Sequence, residues 1–263
     1  MMDHVRTIIS LIKIMILTGV VITTYFYMRK KAGTAPAPMV FFTLGTACHL
    51  CTEAYYLAHL LLAARDRMPY FSAEDIGIYG CLLLFSSSLK AMHPHSGKFD
   101  MRFIAFSTVF TLINSGLYIY YGTEPITALF YFMTMGNFLV IIWQSLEDMG
   151  AVSKRKFRIF AAGGGLLSVL LVCEIFYEGT DKTIVFYAES VIWFAALAYL
   201  ICSSVSSLVR KAPKAAPLAF ATFLCSLFTM YMSYDPWYSA ADILSACVNI
   251  LMCLAVMQEV KRE

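Results

Sequence analysis

Pro69-Tyr70-Phe71-Ser72-Ala73-Glu74-Asp75-Ile76 decides how this chain is parsed, because its core, an aromatic residue followed by Ser-Ala-x-Asp-Ile, returns as Tyr238-Ser239-Ala240-Ala241-Asp242-Ile243. In both copies a serine stands three residues before an aspartate, and an apolar run follows. That is the pattern of a capping box, with serine as N-cap and the N3 carboxylate reaching back to the N-cap backbone. Each copy therefore predicts a helix start. A second phrase is also doubled: Gly122-Thr123-Glu124-Pro125-Ile126-Thr127 with Phe130-Tyr131 is echoed, one residue shorter, by Gly179-Thr180-Asp181-Lys182-Thr183 with Phe186-Tyr187. The four turns come in the order A, B, B, A.

The segments between these turns are strongly apolar. Sixty per cent hydrophobic residues, 14% charged residues and a mean hydropathy of +0.70 lie outside the range of a soluble domain. The apolar runs are about 17 to 25 residues long, the length that crosses a bilayer as a helix. They predict an all-α, polytopic membrane helical bundle, a single integral membrane domain over residues 1–263. Its nine expected transmembrane helices cover residues 5–27, 40–64, 75–91, 103–121, 126–145, 159–177, 183–208, 217–232 and 240–258. The first run is read as an anchor and not as a cleaved leader, because Lys13 interrupts its centre and its positive charges, Arg29, Lys30 and Lys31, come after it.

Basic residues set the expected orientation. With the N-terminus outside, the clusters at Arg29 to Lys31, Lys90 to Arg102, Lys154 to Arg158, Arg210 to Lys214 and Lys261-Arg262 all fall on the cytoplasmic side. Arg6, Arg65, Arg67 and Lys182 remain outside. The bundle is thus expected N-out and C-in, as four outward-pointing helical hairpins with one N-terminal helix in front. Basic residues in short loops give no sign of a nucleic-acid partner.

An ionisable side chain inside a bilayer is costly, of order 3 kcal/mol on the lenient insertion scales, so each one needs a partner or a purpose. His49 and Glu53 lie one helical turn apart on one face; Glu174 and Glu189 lie within the outer turns of their spans. Asn114, Asn137 and Asn249 fit interhelical hydrogen bonds. Tyrosines crowd the expected outer half, a one-sided bias that an aromatic belt does not explain. These features predict an outward-facing aromatic and acidic pocket suited to an organic cation, with ligand-binding residues Glu53, Glu189, His49, Tyr56, Asp75, Glu174, Tyr187 and Asp242. No catalytic residue and no cofactor is indicated. His49 and His59 stand nearly three turns apart on one helix and cannot share a metal. The Gly163-Gly164-Gly165 run reads as a close helix crossing and not as a phosphate loop, since no strand precedes it.

From Gly45 to Ser88, a glycine-containing helix with polar residues runs into Pro69-x-x-Ser72-x-x-Asp75 and then an apolar helix. This resembles the multi-helix membrane sensory input regions that precede diguanylate cyclases and histidine kinases in bacteria, and Ser239 to Val256 echoes it. The resemblance implies a multi-pass sensor in the inner membrane that takes a small-molecule ligand from the outer side. It also implies that the signal passes to a cytoplasmic signalling partner or to an output domain outside this chain. The four-hairpin body also looks like the lysoplasmalogenase-type membrane hydrolases, although the Gly-Asp pair of their early helix is missing and Glu53 is the nearest candidate. The doubled hairpins allow a third reading, a small-solute transporter built from repeats.

Overall fold

Ser72 is the N-cap of a helix that runs from Ala73 to Met92: its backbone is extended, with φ −75° and ψ 171°, and the N–H of Asp75 donates to its hydroxyl. The Ser72 N–H donates in turn to Asp75 Oδ2 at 2.8 Å, so both halves of the expected capping box are formed. This is seen in a computed structural model that describes residues 2–30, 36–62, 72–94, 100–120, 125–152, 155, 162–163, 182–231 and 237–262. Among them are eight helices and no strand: α1 (Met2–Lys30), α2 (Ala37–Leu62), α3 (Ala73–Met92), α4 (Met101–Tyr120), α5 (Pro125–Asp148), α6 (Lys182–Val209), α7 (Ala215–Tyr231) and α8 (Trp237–Val260). The expected sixth span, 159–177, lies outside the described residues apart from 162 and 163. The loops of the doubled Gly-Thr phrase also lie outside them. At Gly163 a Cβ would meet nothing within 4 Å, so among the described residues no helix crosses closely there.

The second copy of the opening phrase is used differently. Helix α8 begins at Trp237, which puts Ser239 and Asp242 inside the helix and not at N-cap and N3. Asp235-Pro236 stands immediately upstream, and both are residue types that favour a helix start. Asp242 is thereby left to serve a partner on another helix. Ser72→Ala should accordingly cost about 1 kcal/mol through the lost cap. Ser239→Ala should cost less, and comparing the thermal unfolding of the two variants in detergent checks this.

Four helical stretches, Val5–Lys30, Pro125–Asp148, Ser190–Val209 and Trp237–Val260, are long and apolar enough to cross a membrane by length and composition. Helix α6 leaves Val191, Tyr199 and Val209 at least 67% exposed, an apolar face that suits lipid and not water.

The expected hairpins α2–α3, α4–α5 and α7–α8 pack as neighbours. Small residues allow the close approach. A Cβ on Gly77 of α3 would collide with Thr52 Oγ1 of α2, and one on Gly136 of α5 would stand 2.6 Å from the hydroxyls of Ser107 and Thr111 on α4. Helix α1, which precedes the hairpins in the chain, lies against both α2 and α8. At the bundle centre the buried rings of Phe42, Phe85, Phe138, Phe220 and Phe223, contributed by α2, α3, α5 and α7, form one cluster. Phe85 is stacked on Phe42 at 5.4 Å between centroids and meets Phe223 edge-on at 5.2 Å.

Candidate functional site

The site is built on Lys13, the one cation in the apolar stretch of α1. Its side chain is 5% exposed, and its Nζ donates to Asp242 Oδ1 on α8 at 2.5 Å while also pairing with Glu53 Oε1 on α2. A charge that would be costly in lipid is thus held by two carboxylates, and three helices meet at one ammonium. On the same face of α2, one turn from Glu53, His49 is 2% exposed and turns its Nε2 toward that same Oε1 at 3.7 Å. That distance is beyond a direct hydrogen bond. The His49 ring lies edge-on to Phe223 at 5.8 Å, and among the described residues its Nδ1 has no hydrogen-bond partner.

A cavity of about 50 Å³ opens beside this cluster, with Lys13, His49, Glu53, Glu74 and Asp75 on its polar walls and Leu227 and Met230 of α7 opposite. The polar walls lie near the start of α3, and the ring of Phe223, edge-on to His49, joins His49 to the aromatic cluster of Phe85 and Phe42. The cavity volume lies well under the ~300–1,000 Å³ of pockets that take organic ligands, and suits a few waters or an ion.

The structure brings together four of the expected site residues. Glu53, His49 and Asp75 line the cavity, and Asp242 reaches it through Lys13. Asp75 serves two roles, as a cavity wall and as the N3 carboxylate of the cap on α3. Tyr56 is half-buried on α2 near Arg6 and Glu74 and is not among the lining residues. Tyr187 on α6 is 52% exposed and lies elsewhere. The side chain of Glu189 and the whole of Glu174 lie outside the described residues. Among the described residues no aromatic ring lines the cavity, which departs from the aromatic pocket expected. Tyr79, one turn after Asp75 on α3, donates from its hydroxyl to the Thr127 carbonyl of α5 at 3.0 Å.

Two members were not anticipated as site residues, Lys13 and Glu74. The signal for Lys13 was in the sequence: a lone lysine within an apolar span, in a chain with lone acids in other spans, calls for pairing. Glu74 carried no such signal, because it sits beside the capping aspartate and reads as part of a helix start.

At the opposite end of the bundle, Arg102 ties α4 to α5 by pairing with Asp100 and, at 3.2 Å, with Glu147. Hydrogen bonding to Asp100 is the main cause that holds its guanidinium above its ordinary value. His93, the C-cap of α3, has its imidazole pushed down to about 4 by burial, so it is neutral at physiological pH.

No family model, no curated protein and no solved structure matches this chain. Its function is therefore read from the chemistry of the cavity alone.

Proposed function

We propose that the chain is a nine-span protein of a bacterial inner membrane, N-terminus out and C-terminus in, that acts as a sensor or ligand-binding module with the acidic cavity in its outer half as the input site. The observation that carries the reading is the gathering of charged side chains on one cavity of about 50 Å³, with the Lys13 ammonium held between Glu53 of α2 and Asp242 of α8. A group bound beside an ammonium that joins three helices can shift how those helices sit, which favours a sensor. The hydrolase reading gains nothing from the site, because the one oxygen of Glu53 that Lys13 and His49 both face is already engaged. A cytoplasmic partner would read the inner ends of α3 and α8, the helices that carry Asp75 and Asp242.

Two measurements test this. In a cysteine-free background, a single cysteine at residue 96 should react with an impermeant thiol reagent only after the cells are opened. Labelling of intact cells would reject the nine-span orientation. For the sensor role, spin labels at Lys90→Cys, in the last turn of α3, and Lys261→Cys, just past α8, should change separation when Glu53→Gln is added in lipid nanodiscs. An unmoved separation would reject the sensor reading, and Glu53-dependent cleavage of a lysoplasmenyl lipid would replace it with the hydrolase.

A further inference from the structure

Helices α1 and α8 run parallel and in step: the sequence offset between paired residues is 229 where Lys13 meets Asp242 and 230 where the Tyr27 hydroxyl donates to the Met257 carbonyl at 3.5 Å. Their C-terminal ends therefore finish side by side. We propose that the seam between these ends binds one anionic phospholipid, its phosphate held by Lys30 and Lys261 and its acyl chains laid along α1 and α8.

The charges come first. Lys261 stands just past α8, and its Nζ lies 5.9 Å from the centroid of the Tyr27 ring, whose face attracts an ammonium. Lys30, in the last turn of α1, follows Tyr27 by three residues and so shares its side of that helix. Tyr27 thus brings one lysine from each helix to the same seam. Among the described residues neither lysine pairs with a carboxylate, because Glu259, the nearest acid on α8, is taken by Arg262 at 2.7 Å. Two like charges that share a seam repel each other, and an anion between them turns that repulsion into attraction.

The walls come second. Phe26 stands four residues before Lys30, and Leu254 and Ile250 stand seven and eleven before Lys261, so each belongs to a stripe that ends in a lysine. All three side chains are exposed, on stretches long and apolar enough to cross a membrane. An apolar stripe capped by a cation suits an amphiphile, with a phosphate on the lysines and tails along the stripe. A soluble anion would use the lysines alone. A zwitterionic headgroup would bring an ammonium of its own to two cations and no acid, so a headgroup of net negative charge is the better fit. Such a lipid would join the same two helices that Lys13 and Asp242 join about 20 Å further back along each axis.

The test uses the full chain in phosphatidylcholine nanodiscs. Cys247, exposed on α8 seven residues before Leu254, is kept as the one cysteine and carries a fluorophore. Phosphatidylglycerol or phosphatidylcholine with a nitroxide near the end of one acyl chain is added, and quenching reports how often that lipid occupies the seam. Phosphatidylglycerol should quench at a lower mole fraction than phosphatidylcholine. Lys30→Gln and Lys261→Gln should each cut that preference roughly fivefold, the contribution of one basic residue beside an anionic headgroup, whereas Lys261→Arg should keep it. Equal quenching by the two lipids would overturn the proposal, as would a preference that both glutamine variants leave intact. Lys214→Gln, at an exposed lysine just before α7, should change nothing. A loss as large as that of Lys261→Gln would replace the site with the general pull of a basic surface. Excess glycerol phosphate should fail to reverse the quenching, and full reversal would overturn the lipid as the occupant, because the headgroup alone would then suffice.

Discussion

Lys13→Met is expected to lower the stability of the folded bundle by about 3–5 kcal/mol, the cost of removing one partner from a buried ion pair. Methionine fills the same volume, so the loss is not one of packing. What remains is Glu53 and Asp242, both buried, facing each other across three helices with no ammonium between them. The effect should be non-additive. Removing the two acids as well, in Lys13→Met/Glu53→Gln/Asp242→Asn, should recover most of the loss, because neutral polar groups of the same shape replace a complete charged set. Denaturant unfolding of the single and triple variants in detergent checks both statements. Equal instability of the two would mean that the packing of α1, and not its charge, is what matters.

Phe85→Ala is expected to have a comparable effect, about 3–5 kcal/mol, because a fully buried ring is lost from the centre of the aromatic cluster. Phe85 touches Phe42, Phe220 and Phe223 at centroid distances of 5.4, 5.7 and 5.2 Å, so no neighbour can close the hole without leaving another partner. Phe85→Leu, which keeps most of the volume, should cost less than about 1.5 kcal/mol. Thermal unfolding of both variants separates the contribution of the ring from that of mere bulk.

What could be read from the chain before its structure follows the range of the interaction. The helices were legible because each is a property of a continuous apolar run: the expected 103–121 and 240–258 are close to the observed Met101–Tyr120 and Trp237–Val260. Ser72 with Asp75, and His49 with Glu53, were legible because residues three or four apart on a helix meet whatever else the fold does. Ser239 with Asp242 shows where such reading stops. Its local pattern matches that of Ser72 with Asp75, yet Asp242 is bound by a lysine 229 residues away, and nothing within four residues of it carries that information. The same limit applies to Tyr79: it stands one turn from Asp75, but the packing of α5 against α3 gives its hydroxyl to the Thr127 carbonyl. Lys13 was visible as an intruder in an apolar run. Which acids it would meet depended on α1 lying between α2 and α8, an arrangement set by the whole bundle.

That arrangement also bears on how the protein is made. Lys13 is synthesised before both of its partners, which arrive at very different times. At 5–20 residues per second, Glu53 follows within about 2–8 s, whereas Asp242 is not synthesised until about 10–50 s after Lys13. Between those two times the nascent chain therefore holds a lysine with one of its two carboxylates, on α2. An insertion machinery that shields polar side chains would have reason to retain α1 until α8 appears. Chains truncated before Asp242 would expose this unfinished pair to membrane quality control, which makes α8 the element whose arrival completes it.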